Sequence, residues 1–183
     1  MHKLHCILVE LPAEFHEENL SPTKVREAAQ TARRIAMEKT KIFEGRVFSW
    51  RSEQDAGRWK DEFPGAGVVL GTTSRKSFLK LLHEWYLKPL KKAKGCIDVI
   101  KFLPREPKLT KQMLTDLWHE RLTDSFVVTF KMLEALKLAN GDYLFSSSFY
   151  SVPDNSAKMT KETKRRVQKN TGNFALVFSD YQF

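Results

Sequence analysis

The chain has 183 residues, a formal charge of +9 at pH 7, and 42% hydrophobic and 11% aromatic residues. Global disorder is excluded by this composition, and a chain of this size can bury roughly 70% of its unfolded surface. Two isolated cysteines, Cys6 and Cys96, exclude a disulfide framework or a paired-cysteine metal clasp, and no run approaches the roughly 18 apolar residues of a membrane span.

Residues Lys3 to Leu11 predict a strand dense in Ile7, Leu8 and Val9 and stopped by Pro12. The apolar run is too short for a signal peptide and has no cleavage site, so a reducing, cytoplasmic setting without membrane contact is expected. Ser21 followed by Pro22 has the form of an N-cap with proline at the first helical position. Val25, Ala28, Ala29, Ala32, Ile35 and Ala36 then recur at three- and four-residue intervals, which predicts a helix over about 22–41 with Arg26, Arg33, Arg34 and Lys39 on its polar face.

Gly45 turns the chain into RVFSWR, a strand expected to carry Phe48 and Trp50 on one side and Val47, Ser49 and Arg51 on the other. A polar loop leads to a third strand, VVL, and then to GTTSRKSFLKLLHEWYLKPLKKAK, a basic amphipathic helix with Phe78, Leu81, Leu82 and Trp85 on its apolar face. Pro89 is expected to end or kink it. Arg75, Lys76, Lys80, Lys88, Lys91, Lys92 and Lys94 stand against Glu84 alone. The Thr72, Thr73 and Ser74 turn opens the helix, where unpaired N–H groups favour an anion. It lacks the lysine ending of a mononucleotide loop, which favours a nucleic acid backbone over a mononucleotide.

CIDVIKFLP predicts a fourth strand, so residues 1–104 read as β-α-β-β-α-β, the ferredoxin-like split βαβ arrangement of the α+β class. Residues 105–183 are expected to pack onto this core as a helical pair over 110–139 and late strands YLFSSSFY and NFALVF. Between those strands, KMTKETKRRVQKN forms a second basic segment, with Lys164, Arg165, Arg166 and Lys169.

The expected partner is nucleic acid, RNA or another single strand in preference, held by Thr73, Ser74, Arg75, Lys76, Lys80, Lys91, Lys92, Lys164, Arg165, Arg166 and Lys169. Phe48, Trp50 and Phe102 would stack on bases if the sheet face were open. The many apolar residues of 113–138 need a surface to cover, which favours these rings as core. None of the five histidines has zinc-ligand spacing, and neither a metal nor a cofactor is expected.

His83 beside Glu84 and His119 beside Glu120 are candidate general bases for a metal-independent ribonuclease. The βαββαβ order with a basic C-terminal region and the late strand TGNFALVF resembles the small CRISPR RNA-processing endonucleases. That resemblance implies endoribonuclease activity as an alternative and carries no residue role. A third reading is a module, of phage or mobile-element origin, that binds an acidic protein.

Overall fold

The computed structural model describes residues 1–17, 19–91, 134, 136–144 and 146–183. The expected strand at 96–104, the helices over 110–133, and Lys92, Cys96, Phe102 and His119 lie outside the described residues.

The protein is a mixed α+β structure built on a sheet of five strands among the described residues. Its two long strands are β1 (His2–Glu10) and β5 (Phe174–Gln182), paired antiparallel over their whole length from His2 opposite Gln182 to Glu10 opposite Phe174. On the outer side of β1 lies β4 (Phe149–Ser151), which runs parallel to it. Two short strands share the outer edge of β5: β2 (Trp50–Arg51) against Tyr181 and Gln182, and β3 (Val68–Leu70) against Ala175 to Val177.

Strand alternation sends successive side chains to opposite faces, and both faces of the central pair are buried. Ile7, Val9, Ala175, Val177 and Tyr181 face α1 (Pro22–Thr40), which presents Ala28, Ala32 and Ala36 so that the helix lies close on the sheet. Leu4, Cys6, Leu8, Phe174, Leu176 and Phe178 face α2 (Arg75–Leu82) and α3 (Lys161–Lys169), which contribute Phe78, Leu82 and Val167. α1 and α2 therefore cover opposite faces, whereas the split βαβ arrangement requires both on one. The fold class holds at the level of α+β; the central partner of β1 is the last strand of the chain. β5 thus joins the sheet to β1 from beyond the boundary expected near residue 104.

Two expectations about local structure are corrected. Phe48 lies in the α1-side core with its ring 4.6 Å from that of Tyr181, while Trp50 is 48% exposed on the other face. Regular pairing starts only at Trp50, after the turn around Gly45, so the alternation assumed across RVFSWR does not apply.

Of the two outcomes expected at Pro89, the helix does not end there, but its regular winding is disturbed just before it. α2 widens into a π turn at His83–Leu87 and remains helical to Lys91. Proline at 89 supplies no N–H for the carbonyl of Trp85, four residues earlier, and the Ser148 hydroxyl donates to that carbonyl instead at 3.2 Å.

Candidate functional site

α2 and α3 lie side by side and antiparallel, as their contacts at each end establish. The Arg75 guanidinium at the start of α2 donates to the carbonyl of Gln168 near the end of α3, at 2.7 Å. Further along, the Met159 N–H donates to the Tyr86 hydroxyl at 3.0 Å, and the Lys164 ammonium sits over the Tyr86 ring, 5.4 Å from its centroid.

Burial fixes how each helix is rotated. Phe78 and Leu82 anchor α2, which turns the row Lys76, Lys80, Glu84 and Lys88 outward. Thr163 and Val167 anchor α3, which turns outward Lys161, Arg165 and Lys169. Both rows follow from the four-residue neighbour spacing of a helix. Lys76, Lys80, Lys161, Arg165 and Lys169 are exposed and form no ion pair among the described residues, so their charge faces solvent. Lys91 is likewise exposed at the far end of the helix.

Other predicted residues serve the fold. The Ser74 hydroxyl accepts from the Ser77 N–H at 3.3 Å, as an N-cap does, and donates to the Ser77 hydroxyl at 2.9 Å. Thr73 is exposed in the preceding turn. Arg166 turns back to pair with Glu10 and lies 5.9 Å from the Phe174 ring centroid. His83 is exposed at the opening of the π turn.

Gly71 brings the start of α2 close to the chain leaving α3. Its N–H donates to the Phe174 carbonyl at 2.9 Å, and a Cβ at this position would lie 1.9 Å from the Thr171 carbonyl oxygen. No side chain fits there.

The opposite face carries a groove of about 1310 Å³ between α1 and the 53–66 loop, which the sequence pattern did not reveal. Arg33 and Arg51 line its floor. Arg33 is 4% exposed and spends its donors on backbone carbonyls: Nε on Glu53 at 2.8 Å, Nη1 on Ala66 at 2.8 Å and Phe178 at 2.9 Å, and Nη2 on Ser52 at 2.7 Å and on Asp55. Burial pushes its guanidinium down to about 10, partly offset by the nearby Asp55 and Glu53 carboxylates.

Arg51 donates to the Thr40 hydroxyl and to the Met37 carbonyl at 2.5 Å, placing a cation at the negative end of α1. Both arginines are committed to the fold. Exposed Arg26, Arg34 and Lys41 are interleaved with Glu38, Glu44 and Glu53, so the groove has no single electrostatic preference.

Beneath α1, the His5 Nδ1 shares a 2.9 Å hydrogen bond with the Tyr143 hydroxyl, and its ring stacks on Tyr181 at 4.1 Å. Burial holds His5 well below the usual imidazole range, with Lys3 adding to the effect, and it raises the Tyr143 phenol well above the usual value. This cluster is closed to solvent. Among the described residues, no group of three or more His, Cys, Asp or Glu side chains is placed to hold a metal ion, and no helix is long and apolar enough to cross a membrane.

No protein-family model matches the chain, nor does any curated protein or solved structure.

Proposed function

We propose that the protein binds nucleic acid, RNA or another single strand in preference, across the outer surface of α2 and α3. The observation that carries this reading is the alignment of two cationic rows, Lys76–Lys80 and Lys161–Arg165–Lys169, on neighbouring antiparallel helices over one face of the sheet. A helix that needs only solubility interleaves both signs. Here Glu84 and Glu162 are the sole carboxylates on the described parts of both segments, against ten cations between Arg75 and Lys91 and between Lys161 and Lys169.

Phosphate contacts of this kind need charge and reach, without a specialised loop. Each one displaces condensed counterions, so affinity falls with salt by about 0.7 logarithmic units per phosphate neutralised on a single strand. Engagement of the five exposed row cations would weaken binding roughly 100-fold between about 50 and 200 mM salt.

Anisotropy titrations of a labelled oligouridine of about 12 nucleotides test this. The double variant Lys80→Glu, Arg165→Glu is expected to weaken binding at least tenfold and flatten the salt slope by about 1.4. Its thermal unfolding should match the parent, because both side chains are exposed. Binding unchanged by the double substitution overturns the reading, as would salt-sensitive capture of an acidic protein together with no retention on RNA.

A further inference from the structure

We propose that Trp50 is a stacking platform for an unpaired base, so that a single strand held by α2 and α3 continues toward the sheet edge where Trp50 is exposed. This inference rests on the reading of α2 and α3 as the phosphate-binding surface. A single exposed aromatic ring is ordinary on a protein surface. Three observations set this one apart.

The first is its face. Trp50 pairs with Gln182, and directly opposed residues on antiparallel strands point the same way. Gln182 shares its side of β5 with Asp180, Phe178, Leu176 and Phe174, the face on which α2 and α3 sit. Trp50 is therefore exposed on the side of the sheet that carries both cationic rows.

The second is how the ring is held. The His2 ring meets the indole at 64° with centroids 5.9 Å apart, a T-shaped contact that leaves Trp50 48% exposed. His2 is itself fixed, since its Nδ1 lies 2.9 Å from Oδ1 of Asp180, whose side chain is 2% exposed. The other Asp180 oxygen accepts from the Arg58 N–H at 3.3 Å. A buried carboxylate orients the histidine and the histidine braces the indole, so little rotamer freedom is lost when a base stacks.

The third is reach. Trp85, in the π turn that continues α2, meets Phe178 edge-on at 5.6 Å, and Phe63 stacks on the same ring at 3.8 Å. Phe178 stands four residues before Gln182 on β5, about 13 Å along the strand. Phe178 is buried beneath the Trp85 and Phe63 rings, so a bound single strand would cross above it, and a few nucleotides span that distance. A base stacked on an exposed ring beside a cationic surface is an arrangement by which single strands are held without sequence preference.

The test compares Trp50→Ala, Trp50→Phe and the double variant Lys80→Glu, Arg165→Glu on single-stranded oligouridine and on a duplex RNA of equal charge. Trp50→Ala is expected to weaken single-strand binding roughly 5- to 150-fold, the range for loss of one stacked base. Its salt slope should equal that of the parent, because a stacked base releases no counterions, and duplex binding should be unchanged. Trp50→Phe should recover most of the affinity, since a smaller ring still offers a π face. If Trp50→Ala binds the single strand like the parent while the charge-reversal variant does not, the platform is overturned and the phosphate-binding reading stands. If the charge-reversal variant binds like the parent, both fall.

Discussion

Arg33 shows how one side chain can organise a loop that has little regular structure. Its guanidinium takes carbonyls from Ser52, Glu53, Asp55, Ala66 and Phe178, tying the 52–66 loop to α1 and β5 at once. Replacement by methionine keeps the stem and strands those acceptors in a buried site. Each unsatisfied acceptor costs about 1 to 3 kcal/mol, so Arg33→Met is expected to lower stability by about 3 kcal/mol or more in urea titrations. A loss under about 1 kcal/mol would show that water replaces the guanidinium freely.

His5 supplies a pH dependence of definite sign. Its folded-state value is depressed by burial from an ordinary 6.5, so the unfolded chain binds the proton more readily than the native one. The contribution is fully present above about 6.5 and is lost progressively as pH falls below it. Melting temperature is expected to drop between about pH 6.5 and 5, with a shallower slope in His5→Gln. An equal slope in the two proteins would place the titration elsewhere.

Among elements, the connection between β3 and α2 is the most constrained, because Gly71 sits where the leading turn of one cationic helix meets the chain leaving the other. Gly71→Ala forces a Cβ to within 1.9 Å of the Thr171 oxygen unless the backbone moves. A loss of about 2 to 4 kcal/mol is expected, with weakened RNA binding at temperatures where the protein stays folded, since the two rows would no longer align. Parent-like stability would mean that the two segments separate without cost.

The same elements show where sequence periodicity succeeds. The Ser21–Pro22 start and alanine-rich stripe of α1, the VVL strand and the Ser74-initiated helix all follow from local chemistry, and all are present. The exposure of Lys76, Lys80, Arg165 and Lys169 followed from their charge. Pro89 does not end α2, because the π turn and the Ser148 hydroxyl, 59 residues further on, absorb its missing N–H; the disturbance expected near Tyr86 takes the form of that π turn. Trp50 departs from the alternation of RVFSWR because regular strand pairing begins only at Trp50, beyond the turn that carries Phe48 into the core.

For the whole molecule, the limit of legibility was long-range pairing. CILV in β1 and FALVF in β5 are continuous apolar runs, the pattern of strands covered on both faces. That pattern signals a sheet with helices on both sides, yet partner choice between strands more than 160 residues apart leaves no local trace. A sheet of this kind sends α1 to one face and gathers α2 and α3 on the other. The antiparallel contact of the two basic helices was accordingly unreadable from their own residues, although each segment's charge excess was plain. Helical spacing puts Arg33 on the polar face of α1, and its burial depends on a loop whose carbonyls only the folded chain brings together.

If α2 and α3 form one phosphate-binding surface, as proposed, RNA affinity must depend on salt through their exposed cations. Measured by anisotropy from about 50 to 200 mM salt, the parent is expected to lose roughly 100-fold in affinity, and the Lys80→Glu, Arg165→Glu protein to bind more weakly with a slope shallower by about 1.4. A parent affinity indifferent to salt, or a double variant that reproduces the parent slope, would contradict the account.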